Sequence, residues 1–386
     1  MKKEASKFNR IVLVGNGFDL ALGLKTGYND FVLWLLKKYF FLTLNNSAVV
    51  TRDRRSFNGG YLNNDTLEIG IRYNYSNVSY ENEISKIESI KDIKDLWKRY
   101  DIEYKIKSKF LNQIIKHSDD LGWVDIESLF YQELKNCINN KQEDVNRLNN
   151  ELDFLSKELE LYLYEVDDLP EGGRKFAATV CSQLTREIGK DELEDESLLS
   201  EDKLPDVLYF LNFNYTKSLF NLTRDIKSWN HLSEIIPKWN PIHGQIKNEK
   251  APIIFGFGDE RDRDYERIED LNSNTFFKHI KSFKYSQTSN YQHLIKFLDS
   301  ANFQIFIYGH SCGLSDRTML KEIFEHENCK SIKVFYYKRP DGSDDFLEKT
   351  MEISRHFSNK ALMRRKVVNK SYATQSLKTI SKCSYF

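Results

Sequence analysis

Ile11-Val12-Leu13-Val14-Gly15-Asn16-Gly17-Phe18-Asp19 is the stretch on which the fold turns. A short β-branched run ends at two closely spaced glycines, and amphipathic sequence follows from about Asp19 to Phe41. That order reads as strand, glycine turn, helix. Further along, Val207 to Phe213 is an apolar run leading to Asn214-Tyr215-Thr216. Phe303 to Tyr308 leads in the same way to Gly309-His310-Ser311, and Ile332 to Tyr337 is another strand. Between the last two, Ser315 or Asp316 can cap a helix whose apolar face is Met319, Leu320, Ile323 and Phe324. Strand, helix and strand over 303–337 have the length of a βαβ unit, so these strands should run parallel. The expectation is an α/β fold, a Rossmann-like mostly parallel sheet with a large helical insertion. Residues 1–42 and 201–350 would form the core, 43–200 the insertion and 351–386 a basic tail.

The insertion changes character along its length. Residues 43–85 are rich in Asn, Ser, Tyr and Gly, carry the basic cluster Arg52-Asp53-Arg54-Arg55, and read as irregular chain with a β-hairpin. From about 86 to 190 the pattern is helical. Val145, Leu148, Leu152, Leu155, Leu159, Tyr162 and Val166 form a heptad-like seam, too short for an intermolecular coil and suited to a helix pair inside the domain. The acidic run Lys190-Asp-Glu-Leu-Glu-Asp-Glu196 reads as a solvated loop.

Composition removes several function classes. The 386 residues carry 57 Lys+Arg and 57 Asp+Glu, a formal net charge of zero, which speaks against holding nucleic acid by bulk electrostatics. The arginine cluster and the tail from Phe357, with Lys/Arg and no acid, keep nucleic acid as an unfavoured alternative. In that reading Asp259, Glu260, Asp262 and Asp264 would be metal ligands of a nuclease. Five widely spaced cysteines, with no Cys-x-x-Cys, predict neither a disulfide framework nor a structural zinc, and suit a reducing cytoplasm. No secretion signal is evident. The longest apolar stretch, Phe31 to Leu42, contains Lys37 and Lys38 and is short of the roughly 20 residues a membrane span needs, so no membrane partner is expected.

Gly15, Asn214 and Gly309 each follow an apolar run, so a parallel sheet would gather them at its carboxyl edge, where open α/β folds bind ligands. The Gly15-Asn16-Gly17-Phe18-Asp19 turn could seat a phosphate at the helix N-terminus, with a tight turn and an Asp19 cap as the alternative. Its third glycine, Gly23, is too distant for the dinucleotide fingerprint. Asn214 offers a donor and an acceptor to a ribose hydroxyl or a water, or caps a turn. His243, in Pro241-Ile-His-Gly244, is a candidate general acid or base on a loop. Gly309-His-Ser-Cys-Gly313 matches G-x-S-x-G, and Asp344 or Asp345 with His356 completes a hydrolase order, although the helix starts late for an elbow.

Taken together, these pieces resemble the bacterial abortive-infection AbiH family of phage-defence proteins. The resemblance rests on Val14-Gly-Asn-Gly-Phe-Asp-Leu-Ala-Leu-Gly-Leu-Lys-Thr-Gly-Tyr-Asn-Asp-Phe31, Trp123-Val-Asp-Ile-Glu127, Phe213-Asn-Tyr-Thr216, Ile242-His-Gly244, Ile254-Phe-Gly-Phe-Gly-Asp-Glu260 and Gly309-His-Ser311 with Ser315-Asp316. The family in turn is remotely similar to sirtuin-like NAD-binding domains. That likeness implies Gly15 and Gly17 at a pyrophosphate, Asn214 at the nicotinamide ribose or the attacking water, and His243 as acid/base. Gly309, Ser311 and Asp316 would border the adenosine side. Asn16, Phe18, Asp19, Thr26, Tyr215 and His310 fall within the matching stretches and complete the implied nucleotide-binding set. Two departures stand out: the four-cysteine module of sirtuin deacetylases is missing, and Asp19 puts an anion where a small hydroxyl residue is usual. The resemblance implies a cytoplasmic phage-defence effector, a homo-oligomer answering a phage or host trigger protein. Its expected ligand is NAD or a related nucleotide, either cleaved by an NAD glycohydrolase without a metal or held unchanged by a sensor.

Overall fold

The structure, a computed structural model, describes residues 7–52, 55–72, 80–121, 125–138, 142–168, 173–224 and 234–376. The chain opens with β1 (Phe8–Val14) and α1 (Asn16–Ala21). Next come α2 (Tyr28–Asn45), β2 (Ser47–Arg52), β3 (Arg55–Asn63), β4 (Leu67–Arg72), α3 (Tyr80–Ser85), α4 (Ile90–Arg99) and β5 (Glu103–Ile106). Helices α5 (Lys109–Leu121), α6 (Ile126–Asn136), α7 (Gln142–Val166) and α8 (Gly173–Leu184) follow. Then come β6 (Val207–Asn212), α9 (Ser218–Thr223), β7 (Ile236–Pro241), α10 (Arg263–Asp270), α11 (Lys281–Tyr285) and α12 (Asn290–Leu298). The chain closes with β8 (Asn302–Tyr308), α13 (Arg317–Glu325), β9 (Cys329–Tyr336), α14 (Phe346–His356), α15 (Lys360–Lys366) and β10 (Thr374–Gln375). It divides into two compact units, one of Met1–Lys25, Leu163–Asn272 and His279–Phe386, the other of Thr26–Tyr162 and Ser273–Lys278.

The first unit is built on a six-stranded sheet in the order β10-β9-β8-β1-β6-β7, parallel at every pairing. This is the α/β, Rossmann-like sheet that the sequence predicts. Alternate residues of the central strands bury on opposite faces, as the pleat requires. Ile11, Leu13, Leu211, Ile305 and Ile307 pack with α12, α13 and Ile353 of α14 on one face. Val12, Val14, Phe210, Phe306 and Tyr308 pack with α8 and Phe18 on the other. Helix α8, counted with the insertion in the sequence reading, is therefore a cover of the sheet. The βαβ unit forms as expected, and the Met319, Leu320, Ile323, Phe324 face of α13 is buried. Strand β1 lies between β6 and β8, so the order of connections reverses there, and the carboxyl ends of these three strands form the switch point where open sheets bind ligands.

Two stretches differ from their sequence reading. The acidic run at 190–196 is not simply solvated, because Glu192 is buried against Lys333 at 2.6 Å and also pairs with Arg186. Arg10 of β1, fully buried, binds Gln304 and the carbonyls of Leu184, Arg186 and Glu187, which holds this segment on the sheet. The basic tail also takes part in the fold. Lys366 of α15 is buried on the carbonyls of Phe324 and His326, and β10 pairs with β9. Residues 377–386 lie outside the described residues.

In the second unit, β2, β3, β4 and β5 form an antiparallel sheet, more than the single hairpin expected. The arginine cluster sits at the β2–β3 turn, where Asp53 and Arg54 lie outside the described residues. Helix α2 buries Phe31, Leu35, Tyr39 and Phe40. The seam of α7 is buried from Val145 to Tyr162 and meets α2 through the Phe31–Tyr162 and Tyr39–Phe154 rings, the internal helix pair that the spacing predicts. Asp125 caps α6, while Trp123 and Val124 of the same motif lie outside the described residues. Among the described residues no helix is long and apolar enough to cross a membrane.

Candidate functional site

The turn after β1 is held by the turn after β8. Gly15 N donates to the Tyr308 carbonyl, and Gly17 N donates to the Gly309 carbonyl at 2.8 Å. Gly309 has φ +70, and a Cβ there would stand 2.4 Å from Phe18 N. A Cβ on Gly15 would meet His310 Cα at 2.6 Å, and one on Gly17 would meet Gly309 Cα at 2.8 Å. The glycines thus serve a backbone-on-backbone crossing. Gly17 N–H, and Phe18 N–H through the Gly15 carbonyl, already have partners within the protein. Phe18 itself is core, edge-on to Phe176 and Tyr308, and Asn16 is exposed at the start of α1.

Asp19 is not a cap. It lies inside α1, buried, and accepts from the hydroxyls of Thr216 (2.7 Å) and Ser218. Burial pushes its carboxyl up to about 6; the hydroxyls offset part of that rise, and Asp167 adds to it. Asn214 is buried beside it and donates to the Gly15 carbonyl at 3.1 Å, and Phe213 N donates to the Val14 carbonyl. Phe213-Asn-Tyr-Thr216 is therefore clasped to the first glycine turn.

The third segment brings a charged cluster. His243 follows β7 in a turn where Gly244, at φ +78, presses on the Pro252 carbonyl. The ring of Phe213 lies 5.0 Å from the His243 ring and 4.0 Å from that of His310. His243 Nε2 is 2.9 Å from Asp316 Oδ1 and 3.1 Å from the Tyr285 hydroxyl. Asp316 Oδ1 also accepts from Lys281 Nζ at 3.0 Å, and His310 Nε2 lies 3.9 Å from its other oxygen. All of these side chains are buried.

The charges set the protonation states. Burial alone would raise Asp316, but Lys281 and then His243 hold it well below the usual carboxylate range. Burial lowers His243, and Lys281 lowers it further, against the opposing pull of Asp316 and the Phe213 backbone. Burial carries His310 down to about 3; its Nδ1 accepts from Cys312 N, which fixes the ring as a neutral acceptor on that side. Together they form an ionised carboxylate on a buried ammonium, with neutral imidazole and phenol alongside.

A cavity of about 350 Å³ opens against this cluster. Asp316 and Tyr285 stand in its wall, with Tyr291, Ser282, Glu260 and Thr318. The sequence reading did not single out Lys281, Tyr285 or Tyr291. Their placement depends on Gly256, which lets residue 279 approach: a Cβ there would sit 2.0 Å from the His279 carbonyl. Phe257 N then donates to His279 O, Lys281 N donates to Phe257 O, and Lys281 comes under Asp316.

Gly15, Gly17, Phe18, Asp19, Asn214, Tyr215, His243, Gly309, His310 and Asp316 thus gather at the switch point, joined by the contacts above and by Tyr215 O accepting from Ile246 N. Of these, Asp316 is the one in the cavity wall; His243 lies behind it, and Asn214 is buried on the glycine turn. Thr26 is buried in the turn ahead of α2 and belongs to the second unit.

Ser311 is exposed, and the positive φ of its turn falls on Cys312, whose buried thiol is pushed up to about 12. His356 Nε2 donates to the Cys312 carbonyl, Asp344 pairs with Lys370, and α13 starts only at Arg317. The hydrolase triad is not assembled. The acidic run at 259–264 is also accounted for: Asp259 pairs with Arg317 at 3.1 Å, and Asp262 caps α10. Among the described residues no three His, Cys, Asp or Glu side chains form a group that could hold a metal.

A comparison with curated proteins finds no match. The family model for Bacteriophage abortive infection AbiH matches residues 11–338, which span every segment that builds this rim, and the chain belongs to that family.

Proposed function

We propose that this abortive-infection protein is an effector that binds NAD or a related nucleotide in the cavity at Asp316 and hydrolyses its nicotinamide–ribose bond. The observation that carries the reading is a buried carboxylate, held ionised by Lys281, in the wall of a 350 Å³ cavity. Cleavage of an N-glycosidic bond passes through an oxocarbenium-like state, and a fixed anion stabilises the positive charge developing there. The C1′–N bond breaks, and its electron pair neutralises the pyridinium as nicotinamide leaves. Water oxygen bonds to C1′. His243 Nε2–H, committed to Asp316 at 2.9 Å, also lies 3.1 Å from the Tyr285 oxygen and fixes that phenol, whose hydroxyl orients the attacking water. The water's proton leaves to solvent, which balances the neutral nicotinamide released. Asn214 holds the glycine turn in place and acts as a positioning residue. Loss of NAD in the cytoplasm would halt the host and the phage with it.

The test is nicotinamide release from NAD by the purified full chain, alone and with phage lysate. Wild type should release it, and Tyr285→Phe should lower kcat by about 10² with the fold intact by circular dichroism. No release under any condition overturns the proposal. One observation favours a second reading, a sensor that holds its nucleotide unchanged: His243 Nε2 is committed to Asp316 at 2.9 Å and does not serve as a base. Calorimetry with recovery of intact NAD would establish it.

A further inference from the structure

We infer that the cavity at Asp316 selects an organic cation, a positively charged heteroaromatic ring, over neutral and anionic rings of the same shape. The inference rests on the reading of this cavity as the ligand site but not on any bond being cleaved there.

Three features of the wall carry it. The rings of Tyr285 and Tyr291 are stacked, 5.5 Å apart and 8° from parallel, and both line the cavity. Their hydroxyls contact His243 and the Glu322 carboxylate, and the Tyr285 ring also stacks on His243, so the polar ends are engaged and what the two residues add to the wall is aromatic. An aromatic wall of this kind attracts a cation through its quadrupole and more strongly as water is excluded. Next, the titratable lining other than tyrosine is acidic: Asp316 on the inner side and Glu260 at the mouth, with no lysine, arginine or histidine among the described residues of the wall. The Lys281 ammonium is fully buried and bound to Asp316. Glu260 is held in place by its backbone N–H on Thr318 Oγ1. An anionic ligand would meet the Asp316 carboxylate on the cavity side of its ion pair with the buried Lys281, and Glu260 at the mouth, while a neutral ring would gain nothing from either charge. Finally, Ser282 Oγ is buried in the same wall without a partner among the described residues. A ligand bearing an amide or hydroxyl would satisfy it, which matches a polar-substituted cationic ring such as an N-alkylated pyridinium carboxamide.

The experiment is calorimetric titration of the full chain with 1-methylnicotinamide, nicotinamide and nicotinate, which differ little in shape and differ in charge. The cation should bind about tenfold more tightly than nicotinamide, with no detectable heat from nicotinate. Tyr291→Leu should abolish that preference. Glu260→Gln, an exposed change that leaves the fold alone, should weaken the cation about threefold and leave nicotinamide unchanged. Equal binding of cation and neutral ring, or measurable binding of nicotinate, overturns the inference. Cation binding without nicotinamide release from NAD would uphold it while the hydrolysis reading fails. NAD cleavage without cation preference would do the reverse.

Discussion

Asp19 and Asp316 are two buried carboxylates at one rim of one sheet, and they sit in opposite company. Asp19 faces the hydroxyls of Thr216 and Ser218, with Asp167 beyond, and its carboxyl is pushed up to about 6. Asp316 faces the Lys281 ammonium and the His243 ring, and its carboxyl is held well below the ordinary range. Desolvation penalises both, so what differs is the charge of the groups turned toward them. Neutral donors satisfy a carboxylate's lone pairs without repaying the loss of water, whereas a cation at 3.0 Å in a dry site repays it. The first acid clasps two turns together. The second presents a permanent negative charge to a cavity.

The contrast can be broken most sharply at Asp316. Asp316→Asn leaves the Lys281 ammonium buried without a counter-charge and should cost about 3–5 kcal/mol, read as a lowered urea midpoint. Adding Lys281→Met should recover most of that stability without restoring any activity. A cost below about 1 kcal/mol for the single change would show that the pair is not the buried ion pair described.

Next in size is the pH dependence carried by Asp19. Its folded value, about 6, lies above the ordinary aspartate value of 3.8, so the folded state binds the proton more tightly. Its contribution is full below about pH 4 and is lost as pH rises through 6, about 3 kcal/mol in all. Asp316 has the opposite sign: its contribution is present above the usual carboxylate range and is lost only in stronger acid. Urea midpoints measured from pH 4 to 7 should therefore lose a descending component in Asp19→Asn that the parent chain has. A profile unaltered by that change would remove the distinction between the two acids.

The smallest effect belongs to Ser311. Its side chain is exposed, so Ser311→Ala should alter stability by less than about 0.5 kcal/mol, leave nicotinamide release untouched, and coincide with no fluorophosphonate labelling of the parent chain. Labelling at Ser311 would move the chemistry away from Asp316 altogether.

The sheet was legible because strands buried on both faces carry apolar runs, Ile11–Val14 in β1, Val207–Leu211 in β6, Ile305–Tyr308 in β8 and Val334–Tyr336 in β9, even though Arg10, Gln304 and Lys333 are buried in the same strands. β7 was harder to see, since Pro237 and Pro241 interrupt it; an edge strand tolerates both. Gly15, Asn214 and Gly309 could be gathered from sequence because each follows an apolar run of a sheet expected to be parallel, while His243 and Asp316 joined them only through the family resemblance. Lys281 and Tyr285 could not. Lys281-Ser-Phe-Lys-Tyr285 reads as a short surface helix, and its burial comes from a pairing with Phe257 that no periodicity reports. Glu192 was missed for a related reason, because a charge run looks solvated until cations from distant strands, here Lys333, are placed against it. The glycines were seen but their use was not: sequence marks a close approach without saying whether ligand or chain makes it.

The outer border of the sheet has a practical side. Val368 N reaches the Ile332 carbonyl, β10 runs beside β9, and Ser376 N reaches the Tyr336 carbonyl, all beyond residue 338 where the family match ends. A shortened version cut at that match would bare the outer edge of β9 from Ile332 to Tyr336 and offer neighbouring copies a strand to add to. Anyone trimming this protein for expression should keep it through Ser376, or expect sticky, self-associating material whose inactivity says nothing about the chemistry at the rim.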